Sequence, residues 1–141
     1  MNGVLLDTNV VSELMRPNPS GRVLSWFAEQ SDAAFFVSAI TRAEIFLGIA
    51  LLPEGRRRDR IARAAEGMLN EDFARRCLAF DARCADEYAL IVAARTRTGR
   101  PVTTEDAQIA ATAICHDMPL ATRNLRDFEH IAGLKLLDPW A

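Results

Sequence analysis

The sequence predicts a three-layer α/β/α domain built on a central, mostly parallel sheet. Three observations predict it. Short apolar runs such as Val4-Leu5-Leu6 and Phe35-Phe36-Val37 show no polar alternation, as strands covered on both faces do. They are followed within a few residues by cap-forming side chains and then by apolar residues at helical spacing. This alternation of strand and helix runs through all 141 residues with no repeat, linker or low-complexity segment, so 1–141 is expected to be one domain.

The first strand stops at Asp7, and Thr8 or Asn9 can cap a helix over Val10–Met15. Pro17-Asn18-Pro19 breaks it, and a short helix from Ser20 or Gly21 ends near Glu29. After the strand Phe35–Ser38, Thr41-Arg42-Ala43-Glu44 has the form of a capping box opening a helix that continues through Leu47 and Leu51. Beyond Pro53-Glu54-Gly55, the positions Ile61, Ala65, Met68, Leu69 and Phe73 read as one amphipathic helix. Cys77–Phe80 is an expected edge strand and Asp81 the cap of a helix over Ala82–Thr98, stopped by Gly99. Thr104 is the expected cap of Glu105–Ile114. A strand at Leu120–Thr122, a turn at Arg123-Asn124, a short helix holding Asp127–His130 and a strand over Leu134–Leu137 complete the chain.

Composition removes several function classes. Half the residues are hydrophobic and 26% charged, the balance of a soluble globular protein. No basic leader or long apolar stretch is visible, so a cytoplasmic protein with no membrane role is expected. Cys77, Cys84 and Cys115 form no C-x-x-C pair, which argues against both a disulfide framework and a cysteine zinc site and leaves them as small core residues. His116 and His130 form no H-E-x-x-H pattern, and there is no nucleophile elbow, phosphate loop or dinucleotide fingerprint. A net charge of −2 speaks against binding polyanions over the whole surface. Sixteen of the seventeen basic residues are nevertheless Arg, clustered at Arg56, Arg57, Arg58, Arg60 and Arg63 and again at Arg95, Arg97 and Arg100. Each cluster can meet RNA or an acidic partner, or form a solvated helix face.

The acids are the remaining chemistry. Asp7, Glu44, Asp106 and Asp127 each fall at a strand end or in a first helical turn, where acids also serve as helix-terminus charges. Ile109, Ala110 and Ala113 follow Asp106, and Leu47, Gly48 and Leu51 follow Glu44, at the spacing of one helix face, so both acids are expected to head apolar stripes and point inward. Glu105 heads a row with Gln108 and Thr112 and is expected to face solvent. Inward carboxylates converging on Asp7 repel one another unless a cation lies between them, and an all-oxygen set suits Mg²⁺ or Mn²⁺.

Leu5-Leu6-Asp7-Thr8-Asn9, Ser38-Ala39-Ile40-Thr41 with Ala43-Glu44 and Gly48, Asp106 with Ile109-Ala110-Ala111 and Ala113, and Ala121-Thr122-Arg123-Asn124 with Asp127-Phe128 occur in this order. Together they resemble the PIN-domain ribonucleases, specifically the VapC/FitB-like toxins of type II toxin–antitoxin pairs. The resemblance covers nearly the whole chain and implies a PIN-like fold and a Mg²⁺- or Mn²⁺-dependent endoribonuclease acting on RNA. It further implies a homodimer, held inactive by a small antitoxin that also binds DNA. It places Asp7, Glu44 and Asp106 in the metal site, with Asp127 supplying a fourth charge and Asn124 binding through its amide oxygen or a water. Thr8, Asn9, Thr122 and Arg123 are expected to support these groups or touch substrate. Two rival expectations stand beside it: a PIN-like binding module whose acidic cleft grips a basic peptide, and a metal-dependent nuclease acting on DNA or housekeeping RNA.

Overall fold

The first apolar run forms β1 (Asn2–Leu6) and the second forms β2 (Ala33–Ser38), and the two pair in parallel with Leu5 opposite Phe36. The computed structural model describes residues 2–141. Three two-residue strands complete the sheet: β3 (Cys77–Leu78), β4 (Leu120–Ala121) and β5 (Leu136–Leu137). The order is β3-β2-β1-β4-β5, and every pairing is parallel. The chain therefore builds outward from β1 on one side, then returns to build on the other.

The helices are α1 (Thr8–Leu14), α2 (Gly21–Glu29), α3 (Ala39–Ala50), α4 (Arg56–Glu66), α5 (Ala82–Arg97), α6 (Thr104–Cys115) and α7 (Leu125–Phe128). Alternate residues of β1 serve opposite layers, as the two-residue period of a strand requires. Val4 and Leu6 pack with Val10, Val11, Ile45, Ile49, Ala65 and Leu69 from α1, α3 and α4 and the turn after α4. Leu5 packs with Ile91, Ile109, Ala110 and Ala113 from α5 and α6, together with Phe128. The three-layer prediction is thereby met, with an all-parallel sheet. Among the described residues no helix is long and apolar enough to cross a membrane.

Several boundaries differ from the sequence reading for one physical reason: the last extended residue of a strand or loop also serves as the cap. Asp7, not Thr8 or Asn9, caps α1, its Oδ1 accepting from the Thr8 amide at 2.8 Å. Ser38 caps α3 through the Thr41 amide at 3.0 Å, so the capping box at Thr41 does not form and Glu44 lies in the second turn. Thr103, not Thr104, caps α6, accepting from the Asp106 amide.

The amphipathic segment after Arg56 loosens at Gly67–Asp72 into a π-helical turn, closed by the Phe73 amide on the Met68 carbonyl. Ala65, Leu69 and Phe73 stay in the core. The segment 127–130 does not continue as helix, because α7 stops at Phe128 and His130 turns left-handed at φ 63°. The strands expected at 77–80 and 134–137 are each two residues long.

Candidate active site

Asp7 follows β1 and Thr122 follows β4, and these adjacent strands mark the point where the sheet order reverses. Such a switch point opens a crevice at the carboxyl ends of the strands. Asp7 is 4% exposed there. Its Oδ1 is taken by the Thr8 amide and its Oδ2 by the Thr122 hydroxyl at 2.7 Å. The same Thr122 oxygen accepts from the Asn124 amide at 3.0 Å, so one buried threonine orients Asp7 and pins the next loop.

Glu44 reaches the crevice from α3. Its Oε1 accepts from the Thr8 hydroxyl at 2.6 Å, and that hydroxyl also lies 2.9 Å from the Thr41 hydroxyl. The inward stripe expected behind Glu44 is not found. Leu47 and Leu51 are 60% and 75% exposed, while Thr41, Ile45 and Ile49 form the buried face, because the competing stripe of Ile45 and Ile49 is the one that packs against β1 and α1. The stripe behind Asp106 does face the sheet, with Ile109, Ala110 and Ala113 fully buried, and Glu105 is exposed as expected. Thr112, expected outward with Glu105, is buried and returns its hydroxyl to the Gln108 carbonyl.

Asp7, Glu44, Asp106 and Asn124 line one cleft of about 480 Å³, with Thr8 and Asn9. Asp127 is exposed and lines an adjoining cavity of about 330 Å³, with Asp106 on the boundary between the two. Burial, first of all, raises the pKa of Asp7, with repulsion from Glu44 and Asp127 adding to it against the Thr122 and Thr8 hydrogen bonds. Asp106 is pushed up to about 6, by burial first and then by the charge of Asp7. Asn9 bridges the loop after β4, accepting from the Arg123 amide at 3.3 Å, while the Arg123 guanidinium stacks over Trp140.

These residues fit a divalent cation by the chemistry of the donor set. All donors are oxygens, and burial with like-charge repulsion raises Asp7 and Asp106, a condition that a cation relieves. Among the described residues no three of the carboxylates bring oxygens within 4.8 Å of one another.

Two functional neighbours were not foreseen. Arg95, read above as part of a cluster that meets a partner or solvent, is buried. It donates to the main-chain carbonyls of Arg100, Glu129 and Asp127 at 2.8, 2.6 and 2.9 Å, so it anchors the segment that carries Asp127. Its position after Ile91 at helical spacing was the available signal. Glu13 also lines the cleft, but the Ser20 amide and Arg16 hold its carboxylate, with the Ser20 hydrogen bond chiefly lowering its pKa. The cysteines diverge too. Cys84 is buried with its thiol pushed up to about 11, by burial first; Cys115 is partly buried, and Cys77 is exposed on the edge strand rather than in the core.

Beside the acids an apolar groove of about 580 Å³ runs between α1, α3 and α4, lined by Met15, Ile45, Ile49, Leu52 and Ile61. Thr8 and Glu44 line both groove and cleft, and Arg57 and Arg60 stand on its rim.

Residues 4–134 match the family model described as PIN domain. The chain is 39% identical over 137 residues to the VapC ribonuclease Y4jK of Sinorhizobium fredii, spanning 97% of each protein. It is 38% identical over 137 residues to Toxin FitB of Neisseria gonorrhoeae, spanning 97% of this chain and 98% of that one. Among solved structures, FitAB bound to an IR36 DNA fragment superimposes with a TM-score of 0.85 at 38% identity, covering 98% of this chain and 96% of the other.

Proposed function

The chain belongs to the PIN-domain family, in the branch that holds VapC and FitB proteins, and from that premise we propose that it is a toxin of a toxin–antitoxin pair. In this reading it cleaves RNA internally, with Mg²⁺ or Mn²⁺ as cofactor, in the cytoplasm. The observation that carries the reading is the meeting of Asp7, Glu44 and Asp106 in one cleft at the switch point of the sheet.

Asp7 and Asp106 would hold the ion. When bound, it would lower the pKa of a coordinated water and stabilise charge developing on the scissile phosphate. Thr122 keeps Asp7 in one orientation, and Thr8 does the same for Glu44, which then stands ready to orient the attacking water. Asp127 and the amide of Asn124 complete the set from the rim. Arg57 and Arg60, on the groove beside the cleft, would meet the phosphates flanking it. Hydrolysis of this kind leaves a 5′-phosphate and a 3′-hydroxyl.

Similarity to FitB, and to FitAB bound to DNA, supports a small DNA-binding antitoxin as partner. The apolar groove that shares Thr8 and Glu44 with the cleft favours the way such a partner could act, since a basic peptide laid in the groove reaches the carboxylates. The peptide-gripping and nuclease readings thus use the same residues in turn. We also assign a homodimer, which the exposed Leu47 on α3 and Leu51 at its C-terminal end support.

The test is cleavage of a structured RNA by the purified, partner-free protein in Mg²⁺, Mn²⁺ or EDTA, beside Asp7→Asn. Metal-dependent cleavage lost in the variant is expected. Equal inertness of both proteins, with no Mg²⁺ binding by calorimetry, would replace the nuclease with the binding module.

A further inference from the structure

At the far end of α6 from the acids lies a second group of ligand-bearing side chains. Asp106 stands in the first turn of α6 and Cys115 is its last residue, nine residue steps or about 13.5 Å further along the helix. Cys115, the following residue His116, and Cys84 from the first turn of α5 bring two sulfurs and a ring nitrogen within 4.8 Å of one another. Sequence spacing conceals this trio, because 31 positions separate the cysteines. The packing of α5 along α6 creates it.

We propose that Cys84, Cys115 and His116 form a zinc-binding site, separate from the carboxylate cleft. The donor types are those of thiolate–imidazole zinc centres. A tetrahedral ion with Zn–S of about 2.3 Å and Zn–N of about 2.0–2.1 Å sets its donors about 3.5–3.8 Å apart, so the trio needs to contract by no more than about 1.3 Å. One further observation points to a ligand. His116 Nε2 is buried, and it is the only buried side-chain nitrogen or oxygen without a hydrogen-bond partner among the described residues. A buried polar atom left this way asks for a partner.

Asp81, the cap of α5, stands beside the trio, its Oδ1 accepting from the Cys84 amide and lying 4.0 Å from Cys115 Sγ. The fourth position falls to the Asp81 carboxylate or to water. Zinc binding releases the two thiol protons and ties the start of α5 to the end of α6, which makes the ion a clip for the layer that carries Asp106.

The test uses full-length protein stripped of metal by a chelator under reducing conditions and titrated with Co²⁺ as a spectroscopic probe, then with Zn²⁺. One equivalent of Co²⁺ is expected to give thiolate-to-metal charge-transfer absorption and the visible bands of a tetrahedral site, both displaced by Zn²⁺. The signal is retained in Asp7→Asn, which alters the carboxylate cleft, and in Cys77→Ser, which removes the exposed thiol. It is lost in Cys115→Ser and in His116→Gln, with the circular dichroism of each variant unaltered. Absence of the charge-transfer band in folded wild type overturns the proposal. So does its survival in both site variants, its loss with Cys77→Ser, or a Cys84–Cys115 disulfide in the protein as purified.

Discussion

Thr122 donates its hydroxyl to Asp7 Oδ2 at 2.7 Å, across the join between β4 and β1, although 115 positions separate the two residues. The bond lowers the pKa of an acid that burial raises. Thr122→Val keeps the side-chain volume, removes this bond, and leaves the Asn124 amide without its acceptor. Urea denaturation should show a loss of about 1–3 kcal/mol. The acid limb of RNA cleavage should move to higher pH, since Asp7 then ionises later. An unchanged limb in a destabilised variant would mean that Asp7 is not the titrating group.

Arg95 is expected to matter through structure rather than through RNA. Arg95→Met leaves the carbonyls of Arg100, Asp127 and Glu129 without the guanidinium that serves them. The expected cost is about 3 kcal/mol by thermal or urea denaturation, given the strength of hydrogen bonds from a charged donor. Hydrogen exchange should quicken at 124–129 before it does in β1. A change confined to RNA affinity would contradict this role.

The pH dependence of the metal-free protein carries a definite sign. Asp106 is raised from 3.8 to about 6, so between those values the folded chain holds a proton that the unfolded chain has released. Its contribution to stability is present below the unfolded pKa and shrinks as the pH climbs through about 6. Metal-free Asp106→Asn is therefore expected to melt higher than wild type at pH 7.5. The gain is on the order of 1 kcal/mol after discounting for partial exposure. Adding Mg²⁺ should narrow the gap by stabilising only the wild type. A variant that melts lower at pH 7.5 would show that Asp106 is not strained in the free cleft.

Glu13 lines the same cleft, but its carboxylate is committed to the Ser20 amide and Arg16. Glu13→Gln should keep metal-dependent cleavage within a few-fold of wild type, while Asp7→Asn abolishes it. Because its pKa is lowered, the stability that Glu13 contributes is present at neutral pH and lost as the pH falls. Loss of metal binding in Glu13→Gln would place it among the ligands.

Arg57 and Arg60 stand on the groove rim, whereas Arg58 faces a different hollow with Asp59 and Glu66. The double variant Arg57→Ala, Arg60→Ala should raise KM for RNA and reduce the salt slope of binding by about 1–2, leaving kcat near wild type. The same slope change in Arg58→Ala would show a diffuse basic surface instead.

The chain order of its motifs determined much about this protein without any structure. The apolar run ending at Asp7, the small-residue stripe behind Asp106 and the strand–helix alternation are local patterns, and local patterns report strands, caps and buried helix faces. They led to the layered parallel fold and to the acids that line the cleft. Boundaries were less legible, because Asp7, Ser38 and Thr103 each serve as both the last extended residue and the cap. That one-residue economy removed the capping box at Thr41, while Leu47 and Leu51 face outward because the rival stripe of Ile45 and Ile49 packs on the core.

Only the tertiary structure decided what depends on residues distant in sequence. It set Asp127 at the rim rather than in the cleft, turned Arg95 from a surface charge into a buried anchor, and brought Cys84 to Cys115 and His116. The physical reason is shared. Side-chain periodicity specifies which face of an element is buried, whereas the partner met there depends on how α5 and α6 pack and where β4 joins β1, which no single segment encodes.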